Sequence, residues 1–167
     1  MVIRPATAED HAAIRAVNLE AFPTAEEADL VDALRANGDG LAELVAVLDG
    51  AVIGHILFTR LGLAGEHDTL PGAALAPVAV FPEHQNCGVG GRLIIDGVET
   101  CRSLGVAAIV VLGHPAYYPR HGFTAQTAAH LKDPFDAGDA FMAMELEKGS
   151  LREPRRPIYA EPFRIPN

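Results

Sequence analysis

The sequence predicts an α/β domain built on a mixed sheet. Three observations carry that reading. Strand-like and helix-like segments alternate along the chain, an Asp49-Gly50 pair separates two β-rich runs, and a later strand hands over to a helix through the glycine-rich turn Gln85 to Gly91. At 167 residues, with 49% hydrophobic and 21% charged side chains, the chain has the length and composition of one globular domain with a real core.

Val2 to Arg4 is a short strand. Thr7 then stands as an N-cap, with Asp10 three residues on in a capping-box-like arrangement. The helix that follows places Ile14, Val17 and Ala21 on one face and is broken by Pro23. A second helix turns Leu30, Val31 and Leu34 inward, carries acids in its first turn and stops at Asn37-Gly38. LVAVLDGAVIGHILF reads as a hairpin, Leu61 to Pro71 as loop, and Ala74 to Val80 as an apolar strand. Beyond the glycine turn, Ile94, Val98 and Cys101 share one helical face while Asp96, Glu99 and Arg102 turn outward, until Gly105 ends the helix. AAIVVL has the β-branched content of a strand covered on both faces, and AFMAMELE alternates as a late strand. The end, KGSLREPRRPIYAEPFRIPN, is too rich in proline for regular structure by this reading. The boundaries that follow are a domain over 1–147 and a Pro/Arg-rich extension over 148–167.

Charge and cysteine usage narrow the function classes. A formal charge of −9 lacks the basic face of a nucleic-acid binder, and an acidic body attracts cationic substrates. Residues 148–167 oppose that trend, with five basic side chains against Glu153 and Glu161. Cys87 and Cys101 read as free thiols of a reducing compartment rather than a disulfide framework. No apolar run approaches the ~20 residues of a membrane span, and charges stand where a signal peptide has its apolar stretch. The expectation is a cytoplasmic protein with no membrane partner. Seven scattered histidines without close Cys or His partners give no metal site.

The turn at Gln85 to Gly91 carries the chemistry. A Walker A loop is absent, and a dinucleotide fingerprint would need glycine where Leu93 stands. Gln85-Asn86-Cys87-Gly88-Val89-Gly90 does match Gln/Arg-x-x-Gly-x-Gly/Ala in full. Glycines let successive N–H groups converge, and a helix that starts there leaves its first N–H groups unpaired at the positive end of its dipole. Such a turn can cradle a pyrophosphate.

Some 30 residues later AYYPRHGF places Tyr118 four residues ahead of Gly122-Phe123. With both blocks in order after IRPATAEDHAAI, the sequence resembles the GCN5-related N-acetyltransferases from Ile3 to about Leu146. The "AYYPRHGF" wording and the tail with Tyr159 are most similar to the bacterial predicted-acetyltransferase branch. The resemblance implies a mostly antiparallel sheet flanked by helices, with a splay between the fourth and fifth strands. It also implies acetyl-CoA as co-substrate, with no metal.

By that resemblance, the main chain of Val78, Ala79 and Val80 faces the pantetheine arm, and Pro77, which cannot donate a hydrogen bond, fits a strand splayed from its neighbour. Gln85, Asn86, Cys87, Gly88, Val89, Gly90 and Gly91 hold the pyrophosphate, and Arg92 reads as a surface arginine of the first helical turn, with the 3′-phosphate as the alternative partner. Tyr118 is the candidate acid for the departing thiolate, since a phenol of pKa about 10 holds its proton at neutral pH. Tyr117 is its packing partner, in roles that can be exchanged. Many relatives place a glutamate base on the strand before the turn, and ALAPVAV has none. His114 is the candidate base, beside His55, Glu83 and a water chain. The implied reaction moves acetyl to a small-molecule or peptide amine. A longer acyl donor and a coenzyme-binding module without turnover are the alternatives. Arg155, Arg156 and Tyr159 are candidate contacts for a homodimer.

Overall fold

A computed structural model describes residues 1–165. The chain forms strands β1 (Val2–Pro5), β2 (Gly40–Leu48), β3 (Ala51–Ala64), β4 (Thr69–Val80), β5 (Ala108–Leu112), β6 (Phe141–Glu145) and β7 (Arg156–Tyr159), and helices α1 (His11–Ala21), α2 (Glu26–Ala36) and α3 (Val89–Ser103). The sheet runs β1-β2-β3-β4-β5-β6, with β7 also paired to β3. β4 and β5 are parallel, while β1–β2, β3–β7 and β5–β6 are antiparallel. The fold is therefore the mixed α/β sheet that the sequence predicts.

Several local signals act as expected. The Asp10 carboxylate accepts both the N–H and the hydroxyl of Thr7, at 2.8 and 3.0 Å, and so fixes the entry to α1. Asn37-Gly38 closes α2, with Gly38 at φ +77 and Asp39 N–H on Leu34 O. Asp49 and Gly50 take φ +50 and +81, the left-handed pair that a two-residue hairpin turn requires.

By Cα proximity the chain condenses into two compact units. The first comprises Met1–Phe58 with Ala76–Thr100. In it the apolar face of α3 is buried through Leu93 and Ile94, a contribution of about 1.5–3 kcal/mol for each side chain. Gly97 allows α3 its close approach to β3, because a Cβ there would stand 2.2 Å from the Phe58 ring. The second unit comprises Thr59–Leu75 with Cys101 and the residues after it. Its core joins Leu61 and Leu63 of β3, Val110 of β5, Phe141 of β6, and Leu131 and Leu151 from the connecting segments.

Two sequence expectations are corrected. Leu61 to Pro71 is not loop: β3 continues to Ala64 and β4 begins at Thr69, with Gly65 N–H on Asp68 O closing the turn. Burial of Leu61 and Leu63 on alternate positions explains the extension. The proline-rich tail is also more regular than predicted. Arg156–Tyr159 pairs with Leu61–Ala64, Leu151 is buried in the core, and the Ser150 hydroxyl donates to Ala107 O at 3.0 Å. Pro157 is tolerated because, among the described residues, β7 has a strand partner on one side only.

Candidate active site

Two segments hold the predicted site residues, one in each unit. In the first unit β4 ends at Val80, a 3-10 turn spans Pro82–His84, and α3 starts at Val89. The Gln85 side chain donates from Nε2 to Val80 O at 3.0 Å and pins the end of the strand. The Gln85 N–H is itself taken by Pro82 O at 3.2 Å, and the Arg92 N–H by Gly88 O at 3.0 Å. Between those two engaged donors lie Asn86, Cys87, Gly88, Val89, Gly90 and Gly91. Among the described residues their six consecutive N–H groups donate to no protein acceptor. Asn86 and Gly88 adopt φ +60 and +83, and such left-handed residues let neighbouring N–H groups turn toward one point. A Cβ on Gly88 would meet nothing within 4 Å, so the turn opens to solvent there. The 15-residue helix behind it adds the positive end of its dipole. A row of free N–H groups at a helix start has the donors that an anion can take. Cys87 is exposed and free. Arg92 is held by Asp96 through Nε at 3.0 Å.

Val78, Ala79 and Val80 lie on β4 beyond the parallel register with β5, which runs from Gly72–Ala108 to Leu75–Val111. Pro77, without an N–H, stands just past the last pair. Ala79 and Val80 are buried and Val78 is half-buried. Gly54 approaches this stretch closely, where a Cβ would stand 3.3 Å from Ala79 O.

In the second unit β5 ends at Leu112, and Tyr118–His121 forms one 3-10 turn. His114 O accepts the N–H groups of Tyr117 and Tyr118, at 3.0 and 3.3 Å, while its ring belongs to an exposed residue. Gly122, at φ +91, ends the turn, and Phe123 N–H returns to Tyr118 O. The Tyr118 ring lies against Gly113, where a Cβ would come within 2.2 Å of Cε2. Phe123 and Tyr117 meet it edge-on, with centroids 5.9 and 5.1 Å away. Tyr118 is only 8% exposed, yet among the described residues nothing hydrogen-bonds its hydroxyl. Burial, with the neighbouring Tyr117, pushes its pKa up to about 12. Tyr117 is less buried and is flanked by Arg120, 5.4 Å above its ring, and by His121 at 5.0 Å. Gly113 is the positioning residue that sequence reading passed over. Its only signal was a glycine at the end of a strand, five residues before the tyrosine.

His55 leaves the list of candidate bases. It is wholly buried, with Nε2 on Glu43 Oε1 at 2.9 Å and Nδ1 on Asn18 Nδ2 at 3.1 Å. Glu43 also accepts Arg35 at 2.6 Å. The two donors outweigh the upward push of burial and hold its pKa down to about 2. Burial lowers the pKa of His55, which is therefore neutral with its proton on Nε2. Glu83 is exposed. Among the described residues no cluster of His, Cys, Asp or Glu could hold a metal ion, and no helix is long and apolar enough to cross a membrane.

The profile of the Acetyltransferase (GNAT) family matches residues 11–123. The chain is 47% identical over 116 residues to the uncharacterized N-acetyltransferase YjhQ of Escherichia coli K12, a match covering 68% of this chain and 64% of that protein. It therefore spans slightly less than two thirds of that relative. It is 37% identical over 131 residues to the uncharacterized N-acetyltransferase YhbS of the same organism, covering 78% and 76%. Among solved structures, YhbS from Escherichia coli in complex with CoA superposes with a TM-score of 0.90 at 30% identity, covering 98% of this chain and 91% of that one. A GNAT family acetyltransferase from Brucella melitensis in complex with acetyl-CoA gives 0.80 at 32% identity, covering 97% of each chain.

Proposed function

Because the chain belongs to the acetyltransferase (GNAT) family, we propose that it moves an acetyl group from acetyl-CoA to a primary amine by direct attack of the amine. The observation that carries the reading is the row of free N–H groups from Asn86 to Gly91. Six donors at a helix N-terminus suit a pyrophosphate, and similar chains carry CoA and acetyl-CoA in their solved structures. In this reading the catalytic domain is 1–147 and 148–167 is an extension, of which Arg156–Tyr159 pairs with β3.

The reaction needs a neutral amine nitrogen, a thioester carbonyl to receive it and a proton for the thiolate as the C–S bond breaks. Tyr118 supplies that proton from its O–H. With its pKa near 12, full transfer to a thiolate whose conjugate acid is near ~8.5 is uphill by roughly 5 kcal/mol. Tyr118 therefore acts as a hydrogen-bond donor to the leaving sulfur, with the proton passing only as charge develops there. That places its worth at the low end of the ~10²–10⁴-fold typical of general acids. The rings of Phe123 and Tyr117 and the flat face of Gly113 hold the phenol in place. His114, at the end of β5 with an exposed ring, is assigned as the base that takes the amine proton. Val78 to Val80 offers main chain to the pantetheine arm.

The test is release of CoASH from acetyl-CoA against a panel of small and peptidyl amines. Turnover with at least one amine, with the KM for acetyl-CoA raised about tenfold by Gly88→Val, supports the reading. Tight acetyl-CoA binding with no turnover on any amine would make the protein a coenzyme-binding module.

A further inference from the structure

Residues 148–167 carry five basic and two acidic side chains, a net of +3 in a chain of net −9. The fold concentrates part of that excess along one strand edge. β7 pairs with β3 on one side. On the other, His130–Lys132 covers only Arg155: Arg155 N–H donates to His130 O and Lys132 N–H to Arg155 O, each at 3.0 Å. Among the described residues Arg156–Tyr159 has no further strand partner. Backbone groups alternate sides along a strand, and Arg155 turns both of its own outward, so Pro157 and Tyr159 do the same. Pro157 lacks an N–H. The open edge thus offers Pro157 C=O together with the N–H and C=O of Tyr159.

Two concavities follow this edge, of about 520 and 280 Å³, and both are lined by Lys132 and Arg156. The larger adds His130 and Arg155 and has no acidic residue in its lining. Arg155 is already held by Asp68 at 2.8 Å and by Leu63 O at 3.0 Å. Lys132 and Arg156 are exposed and, among the described residues, make no ion pair or side-chain hydrogen bond. The smaller concavity contains one acid, Asp133, whose oxygens are taken by the N–H groups of Phe135 and Ala137. Between the cations the surface is apolar: Pro154, Ile165 and Ile158, the last 40% exposed, with Pro157 buried beneath them.

We propose that this edge binds an acidic, extended peptide segment of another protein as an added strand. The peptide would donate N–H groups to Pro157 O and Tyr159 O and accept the Tyr159 N–H. Its acidic side chains would meet Lys132 and Arg156, and its apolar ones Ile158 and Ile165. Charge selects this occupant over a second copy of the chain. Two β7 edges brought together would oppose Lys132 and Arg156 to their own equivalents, and like charges in juxtaposition disfavour pairing.

Fluorescence anisotropy at low salt tests this with a fluorescein-labelled (Glu-Val)4 peptide on the full-length protein. Binding should weaken as salt rises and be absent for (Lys-Val)4. The double variant Lys132→Glu, Arg156→Glu should lose (Glu-Val)4 by about tenfold or more and gain (Lys-Val)4. The (Glu-Pro)4 peptide, with the same charge but every second N–H removed, should bind about tenfold less tightly. Gly88→Val should leave peptide affinity unchanged, which separates this site from the coenzyme site. Equal binding of (Glu-Pro)4 would overturn strand addition, and indifference to charge reversal would overturn the site. Sedimentation showing a dimer that the double variant dissolves, with no peptide bound, would assign the edge to self-association instead.

Discussion

The glycine turn and the cluster around His55 lie in the same compact unit, and both are crowded with polar groups. In the turn, six N–H groups in a row donate to nothing among the described residues. Around His55, both ring nitrogens are engaged, and Glu43 accepts from two elements at once. Polar groups that the fold has used hold α1, α2, β2 and β3 together. Polar groups that the fold has oriented and left free are available to a ligand. Changes in the cluster should therefore register as stability, and changes in the turn or at Tyr118 as binding or rate.

The largest effect should come from breaking the used side. Glu43→Ala removes the acceptor from Arg35 and from the buried His55, and should cost roughly 2–3 kcal/mol in denaturant unfolding. Glu43→Gln, which keeps an acceptor oxygen, should cost less. Acid should act in the same direction. His55 has its folded pKa below the ordinary 6.5, so its contribution is complete above about pH 6.5 and declines as pH falls below it. Glu43, held near 2 against an ordinary 4.5, loses its contribution between about pH 4.5 and 2. A stability profile flat from pH 7 to about 4.5 would contradict the His55 assignment, and one flat from about pH 4.5 to 2 the Glu43 assignment.

Next in size is Tyr118→Phe, which keeps the ring over Gly113 and deletes the free hydroxyl. kcat should fall about 10²-fold with unfolding stability nearly unchanged, whereas Tyr117→Phe should be milder. If Tyr117→Phe has the larger effect, the two tyrosines exchange roles. Gly88→Val comes third. A side chain at φ +83 crowds the cradle, so acetyl-CoA affinity should fall about tenfold by calorimetry, with a strain cost of about 1 kcal/mol in stability. Unchanged affinity would remove the turn from the site. Smallest is Cys87→Ala. Its thiol is exposed and the turn works through main chain, so affinity should stay within about ±0.5 kcal/mol.

What could be read from sequence was local. Asp49-Gly50, Asn37-Gly38 and the glycine turn each declare a backbone conformation within a few residues, and the structure has all three. The same holds for the tyrosine turn, where Gly122 adopts positive φ as the terminator of Tyr118–His121. What escaped depends on partners far apart in the chain. Asn18, Arg35, Glu43 and His55 come from four elements, and nothing near His55 in sequence shows that its nitrogens are engaged. The extension of β3 past Leu61 is hidden for the same reason, because β7, which pairs with it, arrives much later in a proline-rich segment. Gly113 carries no local signal of its role either, since that role lies in the ring that rests on it.

The β3–β7 pairing also has a consequence in time. Leu61 meets Tyr159, 98 positions later, so the end of β3 leaves the ribosome well before its partner exists. At roughly 5–20 residues per second the interval is about 5 to 20 seconds, long compared with the ~1–10 μs in which a local hairpin forms. For that interval Leu61–Ala64 carries an uncovered strand edge and a core without Leu151, the condition in which nascent chains associate wrongly. Closure of this unit is then a non-local, slow step, and synthesis rate and chaperone supply should govern the yield of folded protein more than the local turns do.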